Sequence, residues 1–218
     1  MWQRLGDRAI RFARPRAANT GEPVGLLVSA RAIVREVRGW HGVVDVVVAA
    51  EDVAAYFADS LTLDATQLHF DRHIAKLASA TDSDEAVREH VLRVRYDGAD
   101  LDEVARATGL SRDEVIVIHS GATYTVETIG FAPGFGYLSG LDPRLELPRR
   151  ATPRSRVPAG SVAIAGRQSA VYPFDSPGGW HLLGRLVGTN GGEPVKMFDE
   201  RGALLALGDR VRFVREAP

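Results

Sequence analysis

The residues best suited to chemistry fall between Gly130 and Arg185, in three short segments. They read Gly130-Phe-Ala-Pro-Gly-Phe-Gly-Tyr-Leu138, then Pro148-Arg-Arg-Ala-Thr-Pro-Arg-Ser-Arg-Val-Pro-Ala-Gly-Ser161, then Ser176-Pro-Gly-Gly-Trp-His-Leu-Leu-Gly-Arg185. Seven of the chain's 11 prolines and nine of its 22 glycines lie in this window, so backbone shape is unusually constrained there. Glycine permits left-handed backbone, and proline fixes φ while removing a donor; their alternation specifies loops. On those loops Arg149, Arg150, Arg154 and Arg156 offer guanidinium forks that match a carboxylate or phosphate. Phe131, Phe135 and Tyr137 offer flat apolar walls, while Gln168, Ser169, Ser176 and Trp180 add amide, hydroxyl and indole groups. No nucleophile is paired with a base. The residues alone therefore point to a site for an anion or to a subunit contact, which arginine also favours. For the first loop the competing reading is a tight cover over one end of a barrel.

Other arrangements are weaker. The Gly130 loop lacks the Gly-Lys-Ser/Thr ending of a phosphate-binding loop and the spacing of a dinucleotide-binding turn. Asp100 to His119 is shaped like a helix-turn-helix, with Gly109 at the turn and Ser111 capping the second helix. That helix opens Arg112-Asp113-Glu114 and continues apolar, which is the wrong chemistry for base edges and phosphates. His69 and His73 are one helical turn apart, the spacing of two metal ligands, but no third ligand accompanies them, and two surface histidines are the better reading. His41, His90, His119 and His181 show no pattern that marks a catalytic triad.

The elements that must position these residues form two textures. The first half predicts a strand at Arg8 to Phe12, a helix from Val24 to Arg38, strands at Val43 to Ala49 and Val53 to Phe57, and a helix from Asp64 to about Ser79. This order is close to a ferredoxin-like split β-α-β unit. Thr81 to Glu89 reads as a linker or exposed helix. A second domain then opens with an alternating strand at His90 to Tyr96, two helices at Leu101 to Thr108 and Ser111 to His119, and a strand at Tyr124 to Ile129. Short strands follow at Ser161 to Ala165, Ala170 to Tyr172, His181 to Leu183, Pro194 to Phe198 and Arg210 to Val214, a pattern that favours a barrel or sandwich. The expected domains are 1–89 and 90–218.

Composition narrows the function classes. With 218 residues, 45% apolar and 25% charged, the chain has the make-up of a soluble globular protein. A net charge of -1 removes the global attraction on which nucleic-acid and acidic-membrane binders rely. No cysteine is present, so disulfides, zinc thiolate sites and cysteine nucleophiles are excluded. No stretch approaches the roughly 18 apolar residues of a membrane span, and Met1 to Arg16 lacks the apolar run of a secretory signal. The reading is a cytoplasmic protein without a metal, nucleic-acid or membrane partner. Only Lys76 and Lys196 are lysine, against 25 arginines, so a lone arginine carries little weight and only clusters count.

Taken in order, Gly130 to Leu138, Pro148-Arg-Arg150, Val157-Pro-Ala-Gly-Ser-Val-Ala-Ile-Ala-Gly166, Tyr172-Pro173 and Ser176 to Trp180 with Gly184-Arg185 resemble the KipI/PxpB family. Members are named as the B-type subunit of 5-oxoprolinase, as allophanate hydrolase subunit 1 or as kinase inhibitor, and resemble part of the carboxyltransferase domain of urea carboxylase. The resemblance implies an α+β, mainly β chain: an N-terminal ferredoxin-like domain followed by a C-terminal cyclophilin-like β-barrel. It implies a complex with a KipA/PxpC-like subunit and a third, PxpA-like component, using ATP to open 5-oxoproline, a small carboxylate-bearing amide, to glutamate. Arg149, Arg154 and Arg156 are then expected to bind anions, with Phe135, Tyr137, Gln168, Ser176, Gly178, Gly179 and Trp180 shaping the pocket. No residue takes a catalytic role, because the chemistry is divided among chains, and where ATP sits in the complex stays open. The rival roles are a histidine-kinase regulator and a biotin-dependent carboxyltransferase component. Two departures stand out: Ser169 replaces the family's usual threonine, and Leu186 to Pro194 reads as an insertion able to alter a partner contact or a pocket rim.

Overall fold

The computed structural model describes residues 2–16, 28–61, 63–80, 87–188 and 192–216, with backbone alone for 63–69. The chain divides into two compact units, Met1–Ala86 and Val87–Pro218.

In the first unit, β1 (Trp2–Leu5) and β2 (Ala9–Ala13) form a hairpin, followed by α1 (Ala30–Arg38), β3 (Val43–Val48), β4 (Asp52–Phe57) and α2 (Leu63–Leu77). The antiparallel sheet runs β1-β2-β4-β3. The expected β-α-β-β-α order is present, and an additional strand, β1, takes the edge beside β2. Among the described residues no strand after α2 joins this sheet, so the final strand of a ferredoxin-like unit is not seen here. α1 starts later than its apolar spacing predicts because Ser29 caps it, accepting from the Ala32 N–H at 3.1 Å; positions 24–27 lie outside the described residues. The core gathers Ile10, Phe12, Ile33, Val37, Val53 and Ala55, with Trp40 stacked on Phe12 at 5.9 Å. The His73 ring packs edge-on against Trp40 at 5.5 Å, whereas the His69 side chain lies outside the described residues. Most of the expected linker, 81–86, is also outside them.

The second unit contains β5 (Glu89–Arg95), α3 (Leu101–Thr108), α4 (Arg112–Gly121), β6 (Thr123–Ile129), β7 (Gly136–Ser139), β8 (Arg154–Val157), β9 (Ser161–Ala165), β10 (Gln168–Val171), β11 (Ser176–Gly178), β12 (His181–Leu186), β13 (Phe198–Asp199), β14 (Gly202–Ala203) and β15 (Arg210–Arg215). Seven of these strands close a barrel in the order β10-β7-β6-β15-β5-β12-β9. Among the described strands only β15 and β5 pair in parallel. Small ladders, β8 with β11 and β13 with β14, lie outside the barrel. β7, β8 and β11 occupy segments read as loops, and the expected strand at Pro194 to Phe198 shrinks to the two-residue β13.

Strand alternation explains the barrel's two apolar layers. Val162 and Ile164 of β9, Val171 of β10 and Leu183 of β12 enter the main core with Leu92, Val94, Tyr124 and Phe213. Their neighbours Ala163, Ala165, Ala170 and Leu182 join a second cluster with Phe135, Tyr172 and Trp180. Three of those four outward residues are alanine, which leaves a shallow shelf for the rings. A buried chain of polar groups ties α4 to this barrel: His119 is fully buried, with Nδ1 2.8 Å from the Tyr96 hydroxyl and Nε2 2.9 Å from Ser169 Oγ. Ser169 Oγ donates to the Ala163 carbonyl at 3.2 Å, which leaves it to accept from His119 Nε2–H.

After β5 the chain crosses β12 at backbone contact. A Cβ on Gly98 would collide with the Leu182 carbonyl oxygen, and one on Gly184 with that of Arg95. Gly98→Ala must push these segments apart and is expected to destabilise the second unit by about 1–3 kcal/mol. Gly121→Ala, where a Cβ meets nothing within 4 Å, should stay within about 0.5 kcal/mol. Thermal unfolding of both variants checks the difference. Burial lowers the His119 pKa to about 3, so only the unfolded chain takes up its proton below the ordinary value of 6.5. Stability contributed by neutral His119 is thus full above pH 6.5 and declines as pH falls towards 3. The urea midpoint of the wild type should drop across that window, and His119→Gln should flatten this part of the profile.

Candidate functional site

Asp100 organises the arginine segment. It follows the Gly98 crossing and precedes α3, yet its side chain makes no hydrogen bond to that helix. Instead Oδ2 accepts from the Leu182 N–H at 2.7 Å, and Oδ1 accepts from Arg150 Nη1 at 2.8 Å and Arg154 Nη2 at 2.5 Å. The Asp100 side chain is 2% exposed, while those of Arg150 and Arg154 are about a quarter exposed. Arg150 also reaches Glu103 at 2.6 Å. Burial pushes the Asp100 pKa up, but the hydrogen bonds from Arg154 and Leu182 N–H and the two positive charges outweigh it and hold the carboxyl below its usual range.

The three predicted anion-binding arginines lie in three different settings. Arg154 lies on Asp100; Arg156 is turned to Asp175 at 2.6 Å on an exposed surface; Arg149 is exposed and, among the described residues, has no carboxylate partner. Arg150, left out of the predicted anion set, is the residue that couples this segment to α3 through Glu103. Sequence spacing carries no signal for it, since its partners lie about fifty positions away.

The aromatic residues converge. Phe135 is 2% and Trp180 5% exposed, so they form a buried floor rather than open walls. Phe135 sits edge-on to Tyr137 at 4.9 Å, Tyr172 at 5.4 Å and Trp180 at 5.8 Å. Phe131 is the exposed ring, at 61%, and is the one described non-glycine residue with positive φ, 70°. A bulky residue in that conformation is strained and rests on its packing to Phe135 and Tyr172. Gln168 shares the outer face of β10 with Ala170. Ser176 and Gly178 lie on β11, opposite Val157 and Arg154 of β8. Gly178 is required, because a Cβ there would collide with the Tyr172 hydroxyl. Burial raises the Tyr172 pKa, opposed by the Trp180 N–H and the charges of Arg149 and Arg154. The Gly179 carbonyl accepts from the Arg150 N–H at 2.8 Å, and His181 Nε2–H donates to the Pro148 carbonyl at 2.9 Å.

These contacts draw residues 148–154 and 176–181 together, and the same segments carry unmet polar atoms. Arg150 Nε, Arg154 Nη1, Ser176 Oγ and His181 Nδ1 are buried without a hydrogen-bond partner; the fifth such atom among the described residues is Thr128 Oγ1. An unpaired buried polar group costs about 1–3 kcal/mol. Three of the four, Arg150 Nε–H, Arg154 Nη1–H and the Ser176 hydroxyl, can donate, whereas His181 Nδ1, whose ring donates through Nε2–H, can only accept.

Elsewhere on the barrel, a cavity of about 450 Å³ is lined by Tyr172, Phe174, Pro194, Met197 and Phe198, among others. Glu193 and Pro194 also line it. Among the described residues no group of histidine, cysteine, aspartate or glutamate forms a metal site, and no helix is long and apolar enough to cross a membrane.

A barrel of this construction has solved counterparts. The structure of TTHA0988 matches with a TM-score of 0.72 and 34% identity, over 97% of this chain and 40% of that one. The protein PH0987 from Pyrococcus horikoshii matches at 0.54 and 29%, over 99% and 97%. Kluyveromyces lactis urea amidolyase, 18% identical with a TM-score of 0.66 over 99% of this chain and 15% of its own, shares the fold. The class is that of carboxyltransferase-domain proteins, on the family model that matches most of the chain. The chain belongs to the family described as carboxyltransferase domain, subdomain C and D, whose model matches residues 2–202. Among curated relatives, the B-type subunit of 5-oxoprolinase from Bacillus subtilis (strain 168) is 46% identical over 121 residues, 54% of this chain and 48% of the relative. The Haemophilus influenzae protein of the same name is 47% identical over 122 residues, 55% of this chain and 54% of its own length. The chain spans about half the length of the curated relatives it matches.

Asp100→Asn removes the charge that holds two partly buried guanidinium groups and is expected to cost about 3–5 kcal/mol at neutral pH. Because the folded-state pKa is lowered, the wild type's advantage is present above the ordinary carboxyl value of 3.8 and lost as pH falls through the lower folded value. Urea midpoints of the two proteins should differ at pH 7 and converge in strong acid.

Proposed function

We propose that this chain is the B-type component of an ATP-dependent 5-oxoprolinase, working in the cytoplasm with a KipA/PxpC-like subunit and a PxpA-like third component. The observation that carries the reading is the arginine face: Arg149 without a carboxylate partner among the described residues, beside the unmet N–H of Arg150 and Arg154 and the unmet hydroxyl of Ser176. The relatives named for 5-oxoprolinase supply the substrate class. 5-Oxoproline carries a carboxylate, and its lactam is unstrained. Phosphorylation of the amide oxygen by ATP makes the carbonyl carbon a better electrophile for water and concentrates negative charge that donors must stabilise.

Arg149 and Arg154 are assigned to the anion. Arg156, occupied by Asp175, adds positive field rather than a direct contact. Phe135, Tyr137 and Trp180 fix the floor, Gln168 borders it, and Ser176, Gly178 and Gly179 shape the strand that closes against Tyr172. The partner chains supply the remaining chemistry.

Reconstitution tests this. The complex should form ADP in proportion to 5-oxoproline consumed, and Arg149→Ala should lower kcat/KM for 5-oxoproline by about tenfold or more, the worth of a charged hydrogen bond, with unchanged thermal unfolding. Arg156→Ala should do much less. An assembled complex without 5-oxoproline-dependent ATP turnover overturns the proposal. A carboxyltransferase role, towards which 34% identity over 89 residues to the Putative urea carboxylase of Emericella nidulans points, predicts instead carboxyl transfer from a biotin-bearing partner in the same assay.

A further inference from the structure

The outside of the barrel carries a cationic face on β15, β5 and β12. In the parallel ladder Arg210 is level with Glu89, Arg212 with Val91 and Val214 with Arg93, while β12 sets Arg185 level with Arg95. Alternation turns Val211, Phe213, Leu92 and Val94 into the core and leaves this set outside. Three of its arginines are paired: Arg95 with Glu216 at 2.7 Å, Arg185 with Asp97 at 2.9 Å and Arg212 with Glu89 at 2.9 Å. The other two, Arg93 and Arg210, are exposed and, among the described residues, have no carboxylate partner. Between them stands Val91, 52% exposed although it lies in the middle of a strand. One face of a chain whose net charge is -1 thus combines two free cations with an uncovered apolar side chain.

We propose that this face seats an acidic amphipathic helix of a partner chain, with an apolar side chain over Val91 and one carboxylate on each of Arg93 and Arg210. Spacing supports the match. Arg210 is level with a position four residues before Arg93, so at about 3.3 Å per residue the two cations stand about 13 Å apart along the strands. A helix rises about 1.5 Å per residue, which puts carboxylates seven or eight positions apart at about 11–12 Å on one helix face, with room for an apolar residue between them. The partner must bind through side chains, because β5 and β15 are paired on both edges in the closed barrel and offer no ladder to an added strand. A nucleic acid or an anionic membrane fits less well: three of the five arginines are neutralised within the face, and Val91 gains nothing from phosphate. An acidic helix covers the valine and supplies the two missing carboxylates. The proposal uses no residue of the Asp100 and arginine segment, and it holds whether or not the complex opens 5-oxoproline.

A fluorescent helical peptide with glutamate, leucine and glutamate at positions i, i+4 and i+7 tests this by anisotropy against the full chain at low salt. Binding should saturate, and an isomer of the same composition with one glutamate moved to the opposite helix face should bind about tenfold more weakly. Arg93→Glu and Arg210→Glu should each raise the Kd of the first peptide by about tenfold or more, and Val91→Ala should raise it several-fold. Thermal unfolding of all three variants should stay close to wild type, since the residues are exposed and the two arginines have no carboxylate partner among the described residues. Added salt should weaken binding, because exposed charges are screened. Absence of saturable binding overturns the inference. Equal binding of the two peptides also overturns it and leaves a non-specific polyanion surface. So does retention of peptide binding by Arg93→Glu when the same substitution abolishes binding to phosphatidylserine vesicles, which would assign the face to a membrane.

Discussion

A single buried carboxylate, Asp100, sets the geometry of the second unit's functional face. At the start of a helix an aspartate ordinarily caps the free N–H groups of the first turn. Asp100 gives up that role and commits its oxygens to the Leu182 N–H, Arg150 and Arg154. Removing a charge from water is costly unless it is paired and hydrogen-bonded, and here both conditions are met. The result is mechanical as much as electrostatic. The start of β12, the beginning of β8 and the entry to α3 are pinned to one atom group, and the Gly98 crossing is what lets the backbone come close enough for it. Glu103, one turn into α3, accepts the other contact from Arg150, so the helix is tied to the arginine segment from its first turn.

The opposite layer is organised by smallness. Alanines on the outer face of β9 and β10 leave a shelf that Phe135, Tyr172 and Trp180 fill edge to face, an arrangement worth about 0.5–1.5 kcal/mol per pair beyond burial. That packed floor supports the strained, exposed Phe131 above it. A left-handed phenylalanine exposed to water loses on backbone strain and gains little from burial, so its packing contacts over-determine it. Gly178 belongs to the same device, since any side chain there would displace the Tyr172 hydroxyl.

Legibility in the sequence follows range. Gly109 and Ser111 announce the α3 to α4 turn because left-handed glycine and a capping box act within a few residues, and both are present. The motif order from Gly130 to Arg185 points to the family and the barrel. What stays hidden depends on distance. The arginines look like free forks in the sequence, and the carboxylates that hold three of them, Asp100 and Asp175, come from elsewhere in the chain. His119 carries no triad pattern because Ser169 meets it from fifty residues away. β7, β8 and β11 are concealed by the glycines and prolines that flank or interrupt them, which outvote alternation in any short window. The edge strand β1 is only four residues long, too short for periodicity to register.

Tyr172 links the two faces. Its hydroxyl lies against Gly178 and under the influence of Arg149 and Arg154, while the residue also lines the aromatic cavity beside Phe174. The arginine face and the aromatic cavity therefore share one side chain. Burial raises the Tyr172 pKa against the opposing charges of Arg149 and Arg154, so its hydroxyl stays neutral beside them. Gly178 of β11 pairs with Arg154 of β8, which Asp100 holds, and Tyr172 packs against Phe135 on the alanine shelf, so both devices converge on this tyrosine.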